Sequence, residues 1–135
     1  MKIIALKGRG KCGKSETLGI HLRSMLKEKN GIPYEECRKD AREQIVVNSK
    51  VVDICPPGDN ENEVIKNIAF VEEHPCDVLF TATRTRGGSR NTLKDYAEGK
   101  SAELKEVWKH YDDDLDIVGQ TDKNRETAEG LLKML

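Results

Sequence analysis

Nowhere does the chain carry the roughly 18 consecutive apolar residues that a membrane-crossing helix needs. Its opening residues also lack the longer apolar stretch of a secretory signal. No C-x-x-C pair occurs. The four cysteines, Cys12, Cys37, Cys55 and Cys76, are scattered, which excludes the common zinc spacings and a dense disulfide framework. Reduced thiols in a cytoplasm are the expectation. Charge of one sign is lacking too: 23 Lys and Arg stand against 24 Asp and Glu, for a net charge of −1. A general nucleic-acid binder is usually strongly basic, so this balance speaks against that class and leaves room only for a local basic site. There is no internal repeat, no low-complexity linker and no second domain in the pattern. A single domain over residues 1–135 is expected, long enough to bury a core without metal or disulfide staples.

What is present begins with a short apolar run, Ile3 to Leu6, suited to a strand buried on both faces. A glycine-rich stretch follows, then Leu18, Leu22, Met25 and Leu26 at helical spacing, with a stop at Asn30-Gly31 and Pro33 beyond. Tyr34 to Arg42 is polar and gives no clear element. Gln44–Val47 and Lys50–Cys55 flank Asn48-Ser49 and predict an antiparallel hairpin that could close one edge of a sheet. Pro56-Pro57-Gly58 ends it. Asp59 or Asn60 can cap the next helix, with Glu63 completing a capping box and Val64, Ile65, Ile68 and Val71 as the apolar stripe. Val78–Thr83 predicts another strand. Leu93, Leu104, Val107, Trp108 and Tyr111 suggest one or two amphipathic helices broken near Gly99, Leu115–Val118 a weak last strand, and Ala128, Leu131, Leu132 and Leu135 a final helix. Alternating strands and helices predict an α/β layered fold with a mostly parallel sheet of about five strands, the first of them central. Ligands bind such sheets outside the carboxyl ends of the strands. Four loops are expected to gather there: GRGKCGKS, PPGDN, RTRGGSR and GQTDKN.

Gly8-Arg9-Gly10-Lys11-Cys12-Gly13-Lys14-Ser15 satisfies G-x-x-x-x-G-K-[ST]. It resembles the Walker A motif of P-loop NTPases, and its context between an apolar strand and a helix start is the one that motif requires. The resemblance covers the first ~30 residues and implies a three-layer P-loop fold that binds ATP or another nucleoside triphosphate with Mg²⁺. Backbone N–H groups of residues 8–16, Glu16 included, would wrap the phosphates. The helix dipole would face the same anion. Lys14 would reach the β- and γ-phosphates, and Ser15 would ligate the metal. Within the superfamily, the loop is similar to the G-K-G-G-x-G-K-[ST] of the chromosome-partitioning and septum-positioning ATPases, whose second-position lysine reaches the nucleotide of a partner subunit. Here Arg9 stands in that place and Lys11 replaces a glycine. A homodimer is what this finer comparison would imply, but the lysine that carries the cross-dimer role is absent.

A carboxylate should help hold Mg²⁺ at the end of a neighbouring strand. Asp59 is preferred for its loop position. Asp53, in Val51-Val52-Asp53-Ile54, is the alternative; without that role it reads as a solvent-facing residue of an edge hairpin. The segment also resembles the D-x-P-P-G stretch of some partitioning-type ATPases, with Asp53 one residue too far from Pro56. Arg84, Arg86 and Arg90 surround Gly87-Gly88-Ser89 and could clamp a phosphoryl group, an acidic substrate or a partner's acidic patch. Thr81 and Thr83 could line the site or simply pack. His21, His74 and His110 have no metal-ligand spacing and read as structural. Asp112-Asp113-Asp114 reads as a solvated turn, and Trp108 as core or interface.

Two functions follow. The first is a small enzyme that hydrolyses a nucleoside triphosphate or transfers its γ-phosphoryl group, with Lys14, Asp59, Arg84 and Arg86 as the reactive set. The second is a nucleotide-gated module with little turnover, acting on a small-molecule or protein partner or on its own dimerisation. A small GTPase is disfavoured: N-K-x-D is absent, Thr121-Asp122-Lys123-Asn124 having related letters in the wrong order, and no D-x-x-G follows the second strand. ATP is the expectation by elimination.

Overall fold

Side chains of the first strand alternate between two cores. Ile4 and Leu6 join Leu18, Leu22, Leu26, Val52, Ile54, Phe80 and Leu131 on one side. Ile3 and Ala5 join Val64, Val71, Leu79, Leu93 and Ala97 on the other. Burying each large aliphatic or aromatic side chain contributes about 1.5–3 kcal/mol, so a strand apolar on both faces belongs inside a three-layer sandwich. The computed structural model, which describes residues 1–32 and 38–135, has that architecture. Its elements are β1 (Lys2–Lys7), α1 (Lys14–Glu16), a π-helical stretch (Thr17–Leu22), α2 (Arg23–Lys29), β2 (Glu43–Val47), β3 (Lys50–Cys55), α3 (Glu61–Glu73), β4 (Val78–Thr83), α4 (Gly88–Gly99), β5 (Glu103–Trp108) and α5 (Ile117–Leu132). Pro33 and the 34–37 part of the polar stretch lie outside the described residues.

The sheet order is β2-β3-β4-β1-β5. β1 pairs in parallel with both β4 and β5, β3 pairs in parallel with β4, and β2 is the antiparallel edge. The hairpin edge is therefore as expected from the sequence. β4 rather than β1 is the middle strand, though β1 is interior. The helices after β1 and β4 pack on opposite faces, so their loops part at the carboxyl ends of the two strands. Such a parting is where α/β sheets open a crevice.

Two expected elements differ. Glu103–Trp108 is a strand, not a helix. Leu104 and Val107, three residues apart, point to opposite faces of the strand and pack half-buried against the two cores, while Glu103, Lys105 and Trp108 stay exposed as on a sheet edge. Leu115–Val118 is not a strand, because Asp116 caps α5: its Oδ1 accepts from the Gly119 backbone N–H at 2.8 Å. Trp108 is 53% exposed, with the Lys7 ammonium 4.6 Å from its ring centroid, so it is not core. In α3, Asn60 Oδ1 accepts from Glu63 N–H at 2.9 Å, the first half of the expected capping box, while the Glu63 carboxylate turns to Arg42 Nη2 at 2.8 Å instead of back to Asn60. Ile65 is exposed, however, and Asn67 is buried in the stripe. Asn67 donates to the Pro57 carbonyl at 2.6 Å and to Thr81 Oγ1 at 3.2 Å, and Thr81 donates to the Cys55 carbonyl at 3.0 Å. Those bonds satisfy the buried polar groups between α3 and the sheet.

Gly58 seats the turn after β3. A Cβ there would lie 1.8 Å from the Ala82 carbonyl oxygen, a backbone atom that cannot swing aside. The Ser89 hydroxyl donates to the Gly58 carbonyl at 2.8 Å. Gly58→Ala should therefore destabilise the fold by about 2–4 kcal/mol and displace the adjacent Asp59. A denaturant titration reads the loss; unchanged stability would mean that the turn is not seated this way.

Candidate functional site

The glycine loop leaves β1 with the Gly8 N–H donating to the Thr83 carbonyl at 3.1 Å. Lys11 (φ 58°) and Gly13 (φ 97°) take left-handed backbone conformations. That costs a residue with a Cβ about 1 kcal/mol or more, and at Gly13 a Cβ would also sit 2.5 Å from Asn124 Oδ1. Lys14, 5% exposed, turns back into the loop. Its Nζ donates to the carbonyls of Gly8 at 2.6 Å and Arg9 at 2.8 Å, and lies 3.3 Å from Asp59 Oδ1. A buried ammonium is tolerable only when its protons have such acceptors. Asp59 also meets Arg84, whose Nε is 3.4 Å from Oδ1 and 3.2 Å from the Asp59 carbonyl. The Arg84 guanidinium closes over Gly10, where a Cβ would lie 2.6 Å from Nη2. Asp59 thus bridges the glycine loop and the segment after β4.

A cavity of about 610 Å³ opens over this arrangement. Lys11, Cys12, Gly13, Lys14, Ser15 and Glu16 form its floor, and Gly58 and Asp59 one wall. The opposite wall includes Gln120, Thr121 and Asn124. The sequence placed those three in a fourth loop; they lie instead in α5, which packs on the π-helical stretch. Asn124 donates to Glu16 Oε2, while its own Oδ1 is buried with no hydrogen-bond partner among the described residues. Glu16 Oε2 also lies 3.7 Å from His21 Nε2. Glu16 is therefore engaged by α5 as well as lining the cavity.

The remaining candidates are dispersed. Arg9 points to the 111–113 segment, with its guanidinium 4.4 Å from the Tyr111 ring centroid and Nη2 3.4 Å from Asp113 Oδ1. Arg86 is exposed. Arg90 belongs to α4 and forks onto Glu106, Nε to Oε1 at 3.0 Å and Nη2 to Oε2 at 3.1 Å. That fork, ahead of the 2.8 Å Lys7 contact, holds the Glu106 carboxyl below the usual glutamate range. The structure does not assemble the three arginines into one clamp. Thr81 faces the α3 side, as described, and does not line the cavity. Thr83 ends β4 beside the loop, its hydroxyl buried and unpartnered among the described residues.

Asp53 is fully buried, not solvent-facing. Its Oδ1 accepts from Gln44 Nε2 at 3.0 Å, and that amide also reaches the His74 and Pro75 carbonyls, at the start of β4 and away from the glycine loop. Burial raises its pKa, against opposing hydrogen bonds from Gln44 and Cys76. A carboxyl raised in the folded state contributes stability below its ordinary pKa and loses it as pH rises through the raised value. Asp53→Asn, neutral throughout, should raise the melting temperature by a few degrees at about pH 7, with the gain vanishing near pH 4. A pH-independent difference would show that desolvation is not the cause. Burial also pushes the Cys55 and Cys76 thiols up to about 12, away from reactive thiolate chemistry.

Among the described residues, no three His, Cys, Asp or Glu converge into a metal-binding group. No described helix is long and apolar enough to cross a membrane. Compared with protein-family models, with curated proteins and with solved structures, the chain finds no match in any of the three.

Proposed function

We propose that the glycine loop binds the phosphates of a nucleoside triphosphate, ATP by elimination, and that the protein hydrolyses it or transfers its γ-phosphoryl group with Mg²⁺. The observation that carries this reading is the buried Lys14 ammonium, held by the loop's own carbonyls at the floor of a cavity with Asp59 beside it. Loop N–H groups and the helix start supply a fixed positive field for phosphate oxygens. Lys14 adds a charge that can move from Asp59 to phosphate, and developing charge on a transferred phosphoryl group is what such a site stabilises best. Ser15 and Asp59 line the cavity and offer hard oxygen donors, which fit a Mg²⁺ held mainly by phosphates and water; when bound, the metal neutralises phosphate charge.

A second reading is favoured by the Lys14–Asp59–Arg84 bridge. Phosphate competing for Lys14 would loosen Asp59 from the loop and free Arg84 above Gly10, coupling occupancy to the segment before α4. The protein would then be a nucleotide-gated module acting on a partner or on its own association. Phosphate release from the Mg²⁺–ATP complex separates the two. Sustained release supports the enzyme. Stoichiometric retention of ATP without release supports the module.

A further inference from the structure

A second cavity of about 490 Å³ lies beside the first and shares Ser15, Lys39, Gly58 and Asp59 with it. It continues into a third of about 320 Å³ through Arg38, Asp40, Pro57 and Glu63. The three form one groove that starts at the glycine loop and runs out beneath residues 38–42. Attack by water needs none of this length, whereas volumes of a few hundred Å³ suit a small molecule.

The segment over the groove is firmly built. Arg23 is 0% exposed, and its guanidinium donates to the Arg38 carbonyl at 3.5 Å and to the Ala41 carbonyl. Its Nη1 also lies 3.6 Å from Glu43 Oε1. Burying a guanidinium is costly unless it is well bonded, and here its bonds fix the backbone on either side of Lys39. Gly19 seats the same turn from below: a Cβ there would lie 1.6 Å from the Lys39 carbonyl oxygen. Most cations along the groove are already paired. Arg38 is 3.0 Å from Asp40, Arg42 is 2.8 Å from Glu63, and Lys66 is 3.6 Å from Glu63. Lys39 makes no ion pair among the described residues and stands where the first two cavities meet.

We infer that this groove receives a phosphoryl acceptor, a small molecule carrying a hydroxyl and an acidic group, phosphate or carboxylate, that Lys39 holds. The inference rests on the nucleotide reading above and selects transfer over hydrolysis. The acceptor's hydroxyl oxygen forms a bond to the γ-phosphorus as the bond from that phosphorus to the β,γ-bridging oxygen breaks. The nucleoside diphosphate leaves, and the hydroxyl proton passes to water in the groove. Ser15 and Asp59, shared by the two cavities, mark where donor and acceptor meet.

The test uses the full chain saturated with Mg²⁺ and the β,γ-imido analogue of ATP, which fills the γ-phosphate position without reacting. Glycerol 3-phosphate and glycerate are then titrated separately by calorimetry. The expected result is a second saturable isotherm for at least one of them, weakened at least about tenfold in Lys39→Gln loaded to the same saturation. Phosphate selectivity or carboxylate selectivity names the acidic group. If the analogue binds but neither probe does, or if the probe binds Lys39→Gln equally well, the acceptor proposal is overturned and the nucleotide reading stands. If the analogue itself fails to bind, the nucleotide reading falls and the acceptor proposal with it.

Discussion

Replacing Lys14 by alanine should weaken Mg²⁺–ATP binding by on the order of 10²-fold, while the melting temperature changes by only a few degrees. The ammonium is buried against the loop's own backbone, and hydrogen bonds to a charged group are worth about 1.5–3 kcal/mol each. Two such bonds to phosphate oxygens account for the loss. The fold should tolerate the change because Lys14 itself lines the cavity, so water can enter the space its side chain leaves and reach the carbonyls of Gly8 and Arg9. Calorimetry and thermal unfolding on the same samples read both effects. Lys14→Gln, which keeps a neutral donor, should fall between the two. Equal affinities for the wild type and Lys14→Ala would remove the phosphate role from the loop.

Asp59→Asn should lower Mg²⁺-dependent phosphate turnover by about 10²-fold, and Asp53→Asn by less than about threefold. Asp59 stands 3.3 Å from Lys14 beside the cavity, half exposed, where a metal competing with Lys14 and Arg84 can reach its carboxylate. Asp53 is locked inside the sheet against Gln44. Steady-state rates of the two variants across a Mg²⁺ titration decide between them. Because Asp59 also pairs with Arg84, its loss should change the Mg²⁺ concentration at half-maximal rate as well as the plateau. The reverse order of effects would move the acidic role to Asp53.

Local signals in the chain were enough for the elements that hold the loop. Ile3 to Leu6 is apolar on both faces and becomes an interior strand. Asn48-Ser49 carries the positive φ angles of a tight hairpin turn, 52° and 67°. Asn60 caps α3 through the Glu63 N–H. The misread segments are those where tertiary position outweighs local pattern. Glu103–Trp108 is an edge strand whose two half-buried aliphatics, Leu104 and Val107, face opposite cores at a spacing that also fits a helix. Asp116 was legible as a cap only once β5 had taken the sheet edge, which leaves Ile117 and Val118 85% and 68% exposed. Asp53 gave no sign of burial, because nothing nearby in sequence reveals that Gln44 and the His74–Pro75 segment close over it.

At the site, the glycine loop and Asp59 were legible because one stretch of chain carries each. Asn124 and Lys39 were not. Asn124 reaches the loop from 108 residues beyond Glu16, and Lys39 depends on Arg23 and Gly19 to place it. Clustering of arginines in sequence also misled: Arg84 meets Asp59, whereas Arg90 turns to Glu106 through the start of α4. Sequence proximity does not survive a change from loop to helix, since successive helical residues point about 100° apart.

Calorimetric titration of the wild-type chain with ATP and with GTP, each in the presence of Mg²⁺, tests the central claim most directly. Saturable binding at one site per chain, tighter for ATP and abolished by excess pyrophosphate, is the predicted result. No heat with either nucleotide, and no change in melting temperature at millimolar ligand, would contradict it.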